Sequence, residues 1–276
     1  MRRGMDTTAS FGKRRVQNAP APARKPAPVP QVVPAADAEP KTEEIAVANT
    51  AAPITVPISL PYLTFGLIAT LALIFHYLSA SIAAGAVNGP AVLQGAQWWR
   101  LFTAPVLDDD IFNLAGNMVA LLYAGWIFER LIGRRWFAAL FVFSAFGGSL
   151  GSLAVSDPTN LVSGAAGAVM GLLAAAFVCS FLFESEQLRQ RMQRVSLRLL
   201  VPSLLPALLP LAGAEFEIAD YSIQIGGAAA GALIGFVLHE IWPEDSLRPR
   251  GQMIALAIAI AGALLSAGGL AFIATR

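Results

Sequence analysis

Asn113 and Asn117 stand four residues apart in an otherwise apolar stretch, so on a helix they share a face. Their amides donate and accept hydrogen bonds but take no proton at neutral pH. Gln224, just ahead of Gly227-xxx-Gly231-xxx-Gly235, is a third amide of the same kind. Ser163 opens the small-residue run Ser163-Gly164-Ala165-Ala166-Gly167 and offers a hydroxyl beside it. Acyl transfer would need a nucleophile with a base in hydrogen-bond reach, plus donors for an oxyanion. Bases are scarce. The last lysine is Lys41, so a Ser–Lys dyad is absent from the apolar part of the chain. His239 lies about 22 Å along a helix from Gln224 at 1.5 Å per residue, and His76 belongs to the first apolar segment, where interhelical packing is its plainer role. Glu215, Glu217 and Asp220 are the remaining acids within reach of such a site.

Other chemistries find less support. The two histidines are far apart and join no Cys cluster, so no metal site is expected, and no phosphate or dinucleotide loop suggests a cofactor. Cys179 is the single cysteine, which excludes an intramolecular disulfide and reads as a small buried hydrophobe. Asp108-Asp109-Asp110 could attract a hard cation, but a solvated loop is the expectation. A net charge of +1 gives no field that would favour nucleic acid.

The elements that must hold these residues are apolar. The chain is 56% hydrophobic and 13% charged, about half the charge of an ordinary soluble domain, which excludes a soluble enzyme with a polar surface. Residues 1–55 are Pro- and Ala-rich, hold eight of the cations and lack apolar periodicity, so a disordered cytoplasmic tail is expected. No apolar run follows the first cations, so no secretory signal is expected there. Seven membrane-spanning segments follow: one within Ile58–Ala84, then Ile111–Phe128, Trp136–Ser156, Thr159–Phe183, Leu199–Ala214, Tyr221–His239 and Gly251–Thr275. The fifth is short and carries Pro202, Pro206 and Pro210, so distortion is expected. With the tail inside, cytoplasmic segments hold 17 of the 19 Lys and Arg, and the acidic outer loops face the other side. That partition places the N-terminus in the cytoplasm and the C-terminus outside. Small residues at four-spacing in the fourth and sixth segments predict close backbone packing between them.

Several motifs then fall in one order: Trp99-Arg100 in a long first loop, Asn113-xxx-Asn117, Glu129-Arg130 with Gly133, Gly164-Ala165-Ala166-Gly167, and Gln224-Ile225-Gly226-Gly227 leading into a small-residue helix. Over residues 95–240 this resembles the rhomboid family of intramembrane serine proteases. The resemblance implies an all-α polytopic membrane protein, with a six-helix rhomboid-like bundle over 56–242 and one additional C-terminal helix over 251–275 (6+1). It also implies that Trp99, Arg100, Glu129, Gly164, Gly167, Gly227 and Gly231 are architectural.

The family's working residues do not carry over. Its nucleophilic Ser position is Ala166, its His base position is Gln224, and the His of its oxyanion side is Asn113; only Asn117 is kept. Ala166 has no nucleophilic atom and Gln224 cannot accept a proton. The expectation is a proteolytically inactive member. Its Asn113, Asn117, Ser163 and Gln224 would line a polar cavity and bind transmembrane segments of client proteins without cutting them. Amide glue between helices is the plainer role for Asn113 and Asn117. The alternative is an active protease whose nucleophile has moved to Ser163. A transporter would show ionisable residues at mid-membrane depth, and only His76 approaches that. A scaffold could use the tail to recruit a soluble partner. Membrane lipid surrounds the domain in every case, and a bacterial inner membrane suits the loop charges, as a eukaryotic membrane also would.

Overall fold

The computed structural model of the chain describes residues 60–108, 110–183, 186–208, 221–242 and 248–275, with the backbone alone for 204–208. The tail, Asp109, Glu215, Glu217 and Asp220 lie outside them. All regular structure among the described residues is helical: α1 Tyr62–Leu78, α2 Ile82–Gly85, α3 Gly89–Leu93, α4 Arg100–Thr103, α5 Ile111–Ile132, α6 Arg134–Val155, α7 Ala166–Cys179, α8 Glu186–Leu208, α9 Ser222–Ile241 and α10 Gln252–Ala274. Five stretches are long and apolar enough to cross a membrane: Tyr62–Gly85, α5, α6, α9 and α10. Ala166–Leu182 forms a shorter apolar helix. With α8 in fifth place, the order is that of the six-plus-one bundle.

Helix α7 is central. Twelve of its 14 residues are buried, against α5, α6, α8 and α9. Its partnership with α9 rests on missing side chains: a Cβ at Gly227 would overlap the Gly167 carbonyl, and one at Gly231 the Gly171 carbonyl. Further along, the Cys179 thiol donates to the Gly235 carbonyl at 3.5 Å. A second face of α9 meets α6, where Gly226 lies against Gly147 and Gly151. Without a hydrophobic drive between apolar helices in lipid, such backbone approach is what dispersion can use.

Sequence-local signals set most helix ends. Asp110 caps α5, accepting from Phe112 N at 3.1 Å and Asn113 N at 3.2 Å. Gly133, at φ +84°, is the single residue between α5 and α6, a backbone state that favours glycine. The start of α1 is capped from a distance: the Glu129 carboxylate accepts from Leu63 N (3.0 Å), Thr64 N (2.8 Å) and Thr64 Oγ1 (2.6 Å). These are orphan first-turn groups that the apolar sequence around Pro61 cannot satisfy. Glu129 thus ties the end of α5 to the start of α1.

Two sequence expectations need correction. The segment expected to span from Thr159 begins its helix only at Ala166; residues 159–165 are a loop. The charged stretch before Leu199 is not a loop but the first half of α8, which runs unbroken from Glu186. Leu188, Met192, Ser196 and Leu200 form an inward stripe at four-residue spacing, while Glu186 pairs with Arg189 and with Gln190 Nε2 at 2.5 Å on the outside. Residues 199–208 are therefore the continuation of an amphipathic helix, and the rest of the expected segment Leu199–Ala214 lies outside the described residues.

Candidate functional site

The site forms where α5, the loop before α7 and the start of α9 meet. Loop 1, between α1 and α5, frames it. Arg100 is the latch of that loop. Its Nη1 donates to the Ala83 and Ala86 carbonyls at 3.0 and 2.9 Å, and its Nε to Gln97 Oε1 at 2.7 Å. The guanidinium stands 5.3 Å from the Trp99 ring centre, and Trp99 packs edge-on against Phe272 of α10. Helix α10 also ties to this loop, where Ser266 Oγ donates to the Phe102 carbonyl at 2.8 Å.

A second tie joins loop 1 to the loop before α7. Val87 and Val162 pair as an isolated antiparallel bridge, with hydrogen bonds of 2.9 and 3.0 Å in the two directions. Gly89 N donates to the Pro158 carbonyl at 3.0 Å. Asp157 closes the same loop by accepting from Thr159 Oγ1 at 2.5 Å and Thr159 N at 2.8 Å. The hydroxyl bond, followed by the amide bond, holds its carboxyl below the usual carboxylate range.

The bridge delivers Gly164 to the site. Gly164 N donates to the Ala104 carbonyl at 3.0 Å, and its φ of +113° belongs to glycine. A Cβ there would stand 3.3 Å from Asn113 Nδ2 and 3.4 Å from Asp108 Oδ2. These two side chains are themselves joined: Asn113 Nδ2 donates to both Asp108 oxygens, at 3.1 and 3.2 Å. Asp108 is only 3% exposed. The solvated loop expected for the aspartate run is therefore wrong at Asp108, which is buried, whereas Asp110 is exposed and also caps α5.

Asp108 is the functional-site residue that sequence reasoning missed. The available signal was its place two residues before a helix cap, with an amide five residues ahead.

Asn117 follows one turn along α5, is 7% exposed, and its Nδ2 is buried without a hydrogen-bond partner. Gln224 lies one turn before Gly227 on the α9 face that meets Gly167, and its Oε1 is likewise buried and unpartnered. Ser144 and Ser149 Oγ on α6 share that condition. Ala166 is buried at the first position of α7, where its methyl presents nothing that can attack a carbonyl. Ser163 is half-buried in the preceding loop and not on the helix, so it is not one helical turn from Ala166.

The structure therefore brings Asn113, Asp108 and Gly164 together and leaves Asn117 and Gln224 as separate buried amides. Neither histidine joins them. His76 packs edge-on against Tyr77, and His239 stacks on Phe236 at the far end of α9, with Nδ1 3.7 Å from Glu240. No group of His, Cys, Asp and Glu among the described residues could hold a metal ion.

Comparison with known proteins agrees with this architecture. The family model described as "Rhomboid domain" matches residues 95–241. "RHOMBOID-like protein 4" of Arabidopsis thaliana is 34% identical over 154 residues, 56% of this chain and 37% of the relative. "RHOMBOID-like protein 5" of the same plant is 32% identical over 155 residues, 56% of this chain and 48% of the relative. "Rhomboid protease GluP" of Bacillus subtilis (strain 168) is 36% identical over 94 residues, 34% of this chain and 18% of that protein. The chain thus spans less than half the length of each of these relatives. The matched region contains loop 1 from Gly95, the Asn113–Asp108 contact, Gly164 and the glycine-packed α7–α9 core, and the chain belongs to the rhomboid family of multi-pass integral membrane proteins.

Proposed function

We propose that this rhomboid-family protein binds transmembrane segments of client membrane proteins and does not cut them. The observation that carries the reading is the pair of buried, unpartnered amide atoms at the family's active-site positions: a donor, Asn117 Nδ2, and an acceptor, Gln224 Oε1. Each costs about 1–3 kcal/mol unmade. A peptide unit in an unwound stretch of a client helix offers the complementary carbonyl and N–H. In hydrocarbon that stretch has no water to satisfy it, so a kinked or unstable helix gains most from such a site.

Loss of cutting follows from the chemistry. Ala166 carries no nucleophile and Gln224 no basic atom. Asn113 is already engaged by Asp108, which fixes its amide against Gly164. The competing protease reading would use Ser163 with Asp108, a carboxylate beside Gly164; that carboxylate already accepts both contacts from Asn113.

In this reading the N-terminus and the Arg-rich end face the cytoplasm and the C-terminus lies outside. The partition of charges supports it: Asp110 and Asp157 fall at one end of the α5–α6 hairpin, Arg130, Arg134 and Arg135 at the other. A bacterial inner membrane is the proposed location. The tail is proposed to recruit a soluble partner.

A photo-crosslinker introduced at Ser163, in the loop before α7, tests the binding claim. Capture of full-length membrane proteins, lost when Asn117 and Gln224 are both replaced by Leu, is the expected result. Capture of none overturns it.

A further inference from the structure

The end of the bundle opposite the amide site has a cleft of about 550 Å³ between the start of α1, the end of α5, the start of α6 and the start of α10. Four arginines line it: Arg130, Arg134, Arg135 and Arg248. Glu129 is the carboxylate among the lining residues, and its oxygens already take three hydrogen bonds from the first turn of α1. Its approach to Arg134 Nε is a long 3.8 Å. Among the described residues, the cleft therefore keeps a surplus of positive charge.

Its arginines are also preorganised. Arg130 stacks over the Trp126 ring at 4.5 Å and Arg134 over the Tyr62 ring at 5.1 Å. Such stacking fixes the guanidinium plane and leaves its N–H edge for an anion. Arg130 Nε is buried without a hydrogen-bond partner. Helix α6 begins here without a side-chain cap, so the positive end of its dipole adds to the same field. The Arg248 side chain lies beside Gly133, 3.5–3.8 Å from where a Cβ would stand, and the Trp136 indole donates to the Arg250 carbonyl at 2.8 Å, which anchors that segment over α6.

We propose that this cleft binds the phosphate of an anionic glycerophospholipid. Ends of membrane-spanning helices lie at headgroup depth, where basic pockets between helices meet lipid phosphates. Apolar surface flanks the cleft on both sides: Tyr62 and Phe65 of α1, and Met253 and Ile254 of α10, are exposed. A free phosphate would use the arginines alone; a lipid uses the arginines and this apolar flank together.

The test is native mass spectrometry of the full chain released from detergent after equilibration with phosphatidylglycerol, phosphatidylcholine or inorganic phosphate. Phosphatidylglycerol retention about tenfold above phosphatidylcholine is expected, from the attraction of several arginines to one headgroup. The Arg134→Gln/Arg248→Gln variant should lose that preference. An Arg189→Gln/Arg194→Gln variant, which removes equal charge from the outside of α8, should keep it. Arg135→Gln alone, at an exposed side chain, should lower the preference severalfold and serves if the double variant does not fold. Equal retention of both lipids, an unchanged preference in the cleft variants, or displacement of the lipid by inorganic phosphate would each overturn the proposal.

Discussion

The buried Asp108 carboxylate holds Asn113 by two contacts from one amide nitrogen, 3.1 and 3.2 Å long, and the pair rests against Gly164 in the loop before α7. The contact crosses from loop 1 to the first turn of α5, so it ties the mouth of the site to the helix carrying Asn117. A typical hydrogen bond contributes about 0.5–1.5 kcal/mol. Asp108→Ala should lower stability by about that amount, and Asp108→Asn, which keeps an acceptor, by less. Thermal unfolding in detergent measures both; no shift for Asp108→Ala would mean that the pair contributes nothing.

Glu129 provides a second long-range tie, and its loss should be costlier. Glu129→Ala leaves Leu63 N, Thr64 N and Thr64 Oγ1 without their acceptor. About 3 kcal/mol or more of stability should go. Amide exchange in the first turn of α1 should rise selectively, and an exchange rate there equal to wild type would contradict the cap.

Glycines divide by what surrounds them. Gly227→Ala and Gly231→Ala each place a methyl on the carbonyl of a facing α7 glycine. Overpacking of this kind costs about 1–3 kcal/mol, occasionally more. Gly66→Ala and Gly268→Ala meet nothing within 4 Å and should leave stability unchanged or slightly raised. Yield of folded protein and unfolding temperature, compared across the four variants, check the pattern.

Asp157 gives the pH dependence its sign. Thr159 holds its carboxyl below the ordinary range, so the folded state prefers the charged form. The loop's contribution is then present above the ordinary carboxylate pKa of about 4 and fades as pH falls through the lower folded value. A carbon-13 titration of the Asp157 carboxyl should show that depressed midpoint, and Thr159→Ala should return it toward the ordinary range. An identical midpoint in both proteins would refute the hydrogen-bond origin.

The sequence disclosed this architecture unevenly, for physical reasons. Uninterrupted apolar length marks α5, α6, α9 and α10, and the four-residue spacing of Gly227, Gly231 and Gly235 marks the face that meets α7. Helix α8 was hidden because its arginines read as loop, whereas the inward stripe of Leu188, Met192, Ser196 and Leu200 makes it amphipathic. The start of α7 was misplaced because Val162 and Gly164 are apolar and small; the Val87 bridge and a positive φ, not composition, keep them out of the helix. Asp108 was hidden by its neighbours, since a run of three aspartates resembles a solvated loop. Its burial is set by Asn113 and Gly164, contacts that only the fold creates.

The central claim is that the site binds without cutting. The measurement is cleavage of a rhomboid-type transmembrane substrate by the purified protein in proteoliposomes, beside an active rhomboid protease and a Ser163→Ala variant. The account predicts that the substrate stays intact with this protein and with its variant, while the active enzyme cleaves it. Cleavage by the wild type that disappears with Ser163→Ala would contradict the account and place the nucleophile in the loop before α7.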